Sequence, residues 1–249
     1  MTLQLAVLAS IFSAAIAAPI SPWTGTRQSG PGIRALIVTG GHDFEREPFF
    51  DLFRSLPGLS FKEAVHSNAH KLFKPDAAKE FDVLVLYDMW QTITEEAKAD
   101  LVNLVKQGKP VVALHHCLAG YNDWPEYARM IGGRYRLNKE TVNGKERQGS
   151  VYLHGMSSTI KIADSRHPIT RGLKDFPIVD ETYGDFDVDP GVKPLLTNDH
   201  PTSSKTVAWC HTYGKSRVVY IQLGHGPEAF ENPSYHRLVG QAIRWVSKR

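Results

Sequence analysis

Two histidines and a cysteine stand side by side at His115-His116-Cys117, directly behind the apolar run Val111-Val112-Ala113-Leu114. A run of that length without a polar side chain reads as a short strand covered on both faces. Imidazoles and a thiol just past such a strand fall where open α/β sheets bind ligands, beyond the carboxyl ends of their strands. Imidazole changes charge near neutral pH, so it suits both proton transfer and metal ligation. Neighbours on an extended backbone point to opposite sides. A turn at this point therefore sends one imidazole into a crevice and the other into structure, with His115 the first choice for the crevice and His116 the second.

Other reactive side chains occupy the same kind of position. His42 follows Gly40-Gly41, whose glycines let backbone pass close to a ligand, at the end of the apolar segment Ile33 to Thr39. Asp88 and Trp90 follow the strand-like run Phe81 to Tyr87. The carboxylate there suits orienting a histidine or accepting from sugar hydroxyls, and the indole suits stacking on a sugar ring.

The elements between these residues alternate. Phe49, Phe50, Leu52 and Phe53 are spaced as one face of a helix over 48–56. Leu59 to Val65 reads as a second strand. Thr94 reads as the N-cap of a helix running to about Gln107, with Leu101, Leu104 and Val105 on its buried side. Trp124 to Ile131 reads as a short helix stopped by Gly132-Gly133, and 134–149, polar and charged, as an exposed excursion. Strands follow over 151–163 and 207–223, the latter turning at Tyr213-Gly214-Lys215, and a closing helix over 233–245. This order predicts a single-domain α/β fold: a mostly parallel sheet flanked by helices, with flavodoxin-like layering.

The chain has 249 residues and a formal net charge of +3, with 42% hydrophobic and 22% charged residues. That balance is ordinary for a globular domain, and no basic run marks a nucleic-acid or anionic membrane surface. Residues 3–18 are apolar and uncharged but too short to span a bilayer, and Ala15-Ile16-Ala17 resembles a signal-peptidase site. The expected organisation is a signal peptide over 1–17, a linker over 18–32 and one domain over 33–249, with secreted or periplasmic localisation. Two cysteines, Cys117 and Cys210, do not make a disulfide scaffold.

Several segments together resemble the ThuA-like family, named for trehalose utilisation. They are Thr39-Gly-Gly-His42, Leu114-His-His116, Trp124 to Gly133, His167 to Leu173, Asp180-Glu-Thr-Tyr183, Val207-Ala-Trp209, Tyr213 to Val218, Leu223-Gly-His225 and Ile243-Arg-Trp245. The resemblance implies a fold similar to class I glutamine amidotransferases, in which a strand leads to a sharp elbow bearing a cysteine nucleophile. Here the nucleophile's place falls on His115, Cys117 sits two residues later, and Ala113 and Cys117 replace the elbow's flanking glycines. Glutamine hydrolysis loses its nucleophile. Gln222-Leu-Gly-His225-Gly-Pro-Glu228 echoes the His-Pro-Glu of the amidotransferase triad with one residue inserted.

The resemblance adds His225, Glu181 and Tyr183 to the site. The expected catalytic set is His115, His225, Glu181 and His42, with Asp88, Trp90, His116 and Tyr183 binding substrate. Two chemistries suit it. Neutral imidazoles and one carboxylate match Zn²⁺ or a related divalent ion with an open position, and His42, His115, Glu181 and His225 are its candidate ligands. The other is metal-free acid–base work on a carbonyl or hydroxyl of a sugar. The implied partner is a small carbohydrate, a keto derivative of a trehalose-type disaccharide, handled by a hydrolase, lyase or isomerase. A non-catalytic carbohydrate-binding module that keeps the fold is the alternative. His167 reads as a turn residue, and His66, His70, His154, His200, His211 and His236 as solvated.

Overall fold

The computed structural model describes residues 20–24, 32–142 and 144–248; the expected signal segment lies outside them. In chain order the first half runs β1 (Ile33–Gly40), α1 (Arg46–Arg54), β2 (Leu59–Val65), β3 (Val83–Asp88), α2 (Glu95–Lys106), β4 (Val111–Leu114) and α3 (Pro125–Ile131). Local chemistry sets these limits. The Thr94 hydroxyl accepts the Ala97 N–H and starts α2, while Pro125 opens α3 and Gly132, at φ +80°, ends it.

The second half is richer in strands: β5 (Gly133–Arg134), β6 (Glu140–Val142), β7 (Lys145–Arg147), β8 (Val151–Ile162), β9 (Phe176–Gly184), β10 (Asp187–Val188), β11 (Lys193–Asn198), β12 (Thr206–Tyr213) and β13 (Ser216–Ile221). Helices α4 (Pro227–Phe230) and α5 (Pro233–Ser247) close the chain.

One nine-stranded sheet has the order β2-β1-β3-β4-β13-β12-β11-β8-β9. Pairing is parallel from β2 through β13 and antiparallel from there to β9. The expected single-domain α/β fold holds, and its sheet is mixed, parallel in one half and antiparallel in the other. The reason is local: β12 and β13 are joined by the tight turn at Gly214-Lys215, which only antiparallel neighbours permit, whereas parallel strands need a helical crossover.

Alternate side chains of the central strands enter two cores. Val112 and Leu114 pack with Phe49, Phe53, Leu238 and Ile243 of α1 and α5. Val111 and Ala113 pack with Leu101, Val105, Tyr127 and Met130 of α2 and α3. Both faces of β4 are thus covered, as its unbroken apolar sequence requires.

Two expectations change. The excursion over 134–149 is not simply exposed: Tyr135 is 8% and Arg136 1% exposed. The Arg136 guanidinium is buried because Asp187 at 2.6 Å and Asp185 at 3.0 Å pair it, and composition reveals charge without revealing its partner. Part of the expected linker is also structured. Thr24 exchanges backbone hydrogen bonds with Phe61 (2.8 and 2.9 Å), so residues 20–24 cover the outer edge of β2.

Candidate active site

The carboxyl ends of β1, β3, β4 and β13 lie along one edge of the sheet. Gly41, at φ +82°, lets the loop after β1 press against that after β3: a Cβ there would fall 2.6 Å from the Met89 carbonyl. At the end of β4 the backbone turns sharply. Leu114 is extended, while His115 has φ +50°, an uncommon left-handed conformation for a residue with a side chain. The Tyr220 hydroxyl donates to the His115 carbonyl at 2.9 Å and holds the turn. The elbow separates the two imidazoles. His115 points toward β9, and His116, 2% exposed, packs between Tyr87 and His42 with ring centroids 4.3 and 4.7 Å away.

The far end of the sheet supplies the carboxylate. The β8–β9 hairpin carries 180–183 back over the end of β13, where the Gln222 side-chain amide donates to the Glu181 carbonyl at 2.8 Å. The Asp180 carboxylate accepts the N–H groups of Gly224 (2.8 Å) and His225 (3.0 Å), which fixes the loop bearing His225. Neither acid is at the surface: Asp180 is 6% and Glu181 5% exposed.

At the centre, His115 Nε2 lies 3.0 Å from Glu181 Oε2, 3.2 Å from His225 Nδ1 and 2.9 Å from the Tyr183 hydroxyl. Its other nitrogen, Nδ1, donates to the Gln222 carbonyl at 2.6 Å. Burial alone would raise the Glu181 carboxyl, but the His115 hydrogen bond and the charges of His115 and His225 outweigh it and hold it below the usual range. Burial, with His115 next, lowers His225 to about 4. His116 is pushed well down by burial and the neighbouring histidines, and Tyr183 well up by burial and Glu181.

A fifth group reaches the cluster through a bulge. Leu153 pairs with Thr182 and Met156 with Asp180, so His154 and Gly155 together face Glu181. Gly155 takes φ +65°. The extra residue re-aims the strand and brings His154 Nδ1 to 3.0 Å from Glu181 Oε1, its side chain still 60% exposed. His154 was expected to be merely solvated. A glycine interrupting a strand pattern was the available signal for it.

Of the eight expected site residues, His115, Glu181, His225 and Tyr183 converge. His42 reaches the rim, exposed, its ring edge-on to His225 at 5.9 Å, and stands outside the group able to share a metal. Among the described residues that group is His115, Glu181 and His225, with one donor atom of each inside a 4.8 Å span. Asp88 and Trp90 are not brought to it. Asp88 is fully buried with Oδ2 2.9 Å from His66 Nε2, and Trp90 stacks on the His66 ring at 5.5 Å. His66, at 6% exposure, is therefore not solvated; it anchors a second buried cluster completed by Tyr121 and His70.

The remaining amidotransferase echoes are not placed as a triad. Glu228 is exposed on α4, and the carboxylate beside His225 is that of Glu181. Cys117 is fully buried with its thiol pushed well up by burial, and Cys210 is likewise an unpaired, buried thiol. A hollow of about 1050 Å³ at the opposite edge of the sheet, lined by Arg34, Lys109, Lys215 and Arg217 among others, contains no histidine.

The sequence pattern of the ThuA family, described as trehalose utilisation, matches residues 34–246. The chain belongs to the ThuA family. A ThuA-like protein from Parabacteroides merdae superimposes with a TM-score of 0.71 at 17% identity, over 87% of this chain and 90% of that one. A second, from Bacteroides uniformis, gives 0.62 at 19% identity over 89% and 94%. A cytoplasmic protein from Salmonella typhimurium gives 0.60 at 12% identity over 86% and 99%. At these identities the likeness is one of fold. No curated protein matches the sequence. In this ThuA domain the elbow that carries sulfur in amidotransferases carries an imidazole instead.

Proposed function

We propose that this ThuA protein is an enzyme acting on a keto derivative of a trehalose-type disaccharide, moving a proton at the carbon beside the sugar carbonyl. The supporting observation is the convergence of His115, Glu181, His225 and Tyr183 on one point, with three heavy-atom distances of 3.0, 3.2 and 2.9 Å around a single nitrogen. Proton abstraction next to a carbonyl needs a base, a donor for the oxygen that becomes negative, and a site partly shielded from water. Glu181 is held ionised, Tyr183 is held protonated, and both are buried. The exposed His42 and His154 flank the half-open His225 on the solvent side, where a sugar ring enters.

A carbohydrate-binding module is the weaker reading. Binding sites of that kind depend on open aromatic faces, whereas here Trp90 is spent on His66 and Tyr183 on His115. We further read 1–17 as an export signal, for which the mature N-terminus found by mass spectrometry is the check.

The decisive experiment incubates the protein with a keto-disaccharide in D₂O and follows deuterium entry beside the carbonyl by NMR. Exchange or turnover that falls at least about 100-fold in His115→Ala and Glu181→Gln is expected. Absence of both from the wild-type protein, or their persistence in both variants, overturns the reading.

A further inference from the structure

The polar atoms around His115 Nε2 lie close enough together to share one ion. Nδ1 of the same ring faces the Gln222 carbonyl, which only accepts, so Nδ1 carries the hydrogen. When the ring is neutral, as metal ligation requires, Nε2 then presents a lone pair. That lone pair meets the carboxylate oxygen of Glu181 at 3.0 Å and Nδ1 of His225 at 3.2 Å, and these two lie 3.4 Å from each other. Three potential ligand atoms thus form a closed triangle around one point, each able to offer a lone pair once a cation displaces the protons shared among them.

We propose that this triangle is a binding site for one first-row divalent cation of the Zn²⁺ or Mn²⁺ type, held by His115 Nε2, Glu181 Oε2 and His225 Nδ1. The separations fit. Donors bonded to a metal at about 2.0–2.2 Å sit roughly 2.8–3.6 Å apart for tetrahedral to octahedral angles, and the observed 3.0, 3.2 and 3.4 Å fall within that span. The donor set, two imidazoles and one carboxylate, is one that first-row metals take while keeping positions open.

The surroundings support each ligand as metal sites require. The Gln222 carbonyl fixes the His115 tautomer so that Nε2 is free to ligate. His154 occupies the other oxygen of Glu181 at 3.0 Å. Asp180 grips the His225 backbone at 3.0 Å. The Tyr183 hydroxyl, 2.9 Å from Nε2, is placed to meet a ligand on an open position.

This deepens the reading of the site as a carbonyl-handling centre and rests on it only for the cation's use. With a cation in place, proton carriage passes to Tyr183 and His154, which border the trio without belonging to it. The site itself stands on the geometry alone.

The test therefore uses metal without sugar. Chelator-stripped full-length protein is titrated calorimetrically with Zn²⁺ and, separately, Mn²⁺, and Co²⁺ absorption spectra report the donor set. One equivalent bound with micromolar or tighter affinity is expected for at least one ion. Affinity should weaken at least 10-fold in Glu181→Gln and in His225→Ala, and stay unchanged in His200→Ala. Circular dichroism of each variant separates lost ligation from lost folding, and the Co²⁺ spectrum of the wild-type protein tests the site without any substitution. No saturable binding in the wild-type protein, or binding that both folded variants retain, overturns the proposal. No binding together with turnover by the stripped protein overturns the cation and leaves the sugar reading standing.

Discussion

His154 Nδ1 and Glu181 Oε1 lie 3.0 Å apart where β8 and β9 fall out of register. The exposed histidine thus governs the orientation of a buried carboxylate whose other oxygen faces His115. Removing such an outer partner typically costs about 10–100-fold in activity or metal affinity. His154→Ala should show a loss in that range. Its thermal midpoint should stay within a few degrees of wild type, because a largely exposed surface side chain carries little stability. Steady-state kinetics beside a melting curve decide it; full activity in His154→Ala would sink this role.

Gly155 makes that contact possible, and its cost is separable from packing. An added Cβ meets nothing within 4 Å, so an alanine suffers only from the φ of +65°. The left-handed conformation costs roughly 1–2 kcal/mol for a residue with a side chain. Gly155→Ala should lower the urea midpoint accordingly, and Gly155→Asn by less, since asparagine tolerates that region. Equal midpoints for all three proteins would show that the bulge relaxes instead.

Cys117 should be dispensable to chemistry. Its thiol is fully buried and pushed well up, so it is neither ionised nor accessible. Cys117→Ala is expected to keep turnover, and iodoacetamide to modify the native protein far more slowly than the unfolded chain. Rapid inactivation by alkylation at this residue would revive sulfur chemistry.

Acid should destabilise the fold through its buried histidines. Burial first, and the adjacent His66 second, lower His70 to about 4 from an ordinary 6.5. The unfolded chain therefore takes up a proton before the folded one does. Stability falls as pH drops from 6.5 toward about 4 and is unaffected by this group above 6.5. After solvent screening, the contribution is at most about 1 kcal/mol per pH unit. Melts of His70→Gln across that window should show a shallower decline than wild type; an identical slope would contradict it.

The parallel half of the molecule was legible because its strands are uniform. Val111 to Leu114 admits one environment, and Thr94 and Gly132 mark their helix ends by chemistry visible in the residue type. The antiparallel half was harder. In β9 the burial alternates from Phe176 to Val179 and then stops alternating, because Asp180 and Glu181 dock onto the loop after β13 and Thr182 bonds Thr202. Polar residues buried by a distant partner resemble surface residues until the partner is known. The same limitation hid His66, whose burial depends on Asp88, 22 positions away. Arg136 was obscured in the same way, through Asp187 at 51 positions. His115 was found from its strand, and its partners Glu181 and His225 only through family resemblance, since the three are 66 and 110 positions apart.

The β8–β9 hairpin, described above as the carrier of Glu181, also ties the site to the antiparallel half of the sheet. Strands β4 and β13 lead to His115 and His225, while Glu181 comes from β9 at the other end of the sheet. Only the return of the hairpin, with Asp180 latching onto Gly224 and His225, brings acid and imidazoles together. On the proposed reading, detaching this hairpin alone takes the carboxylate away from the imidazoles.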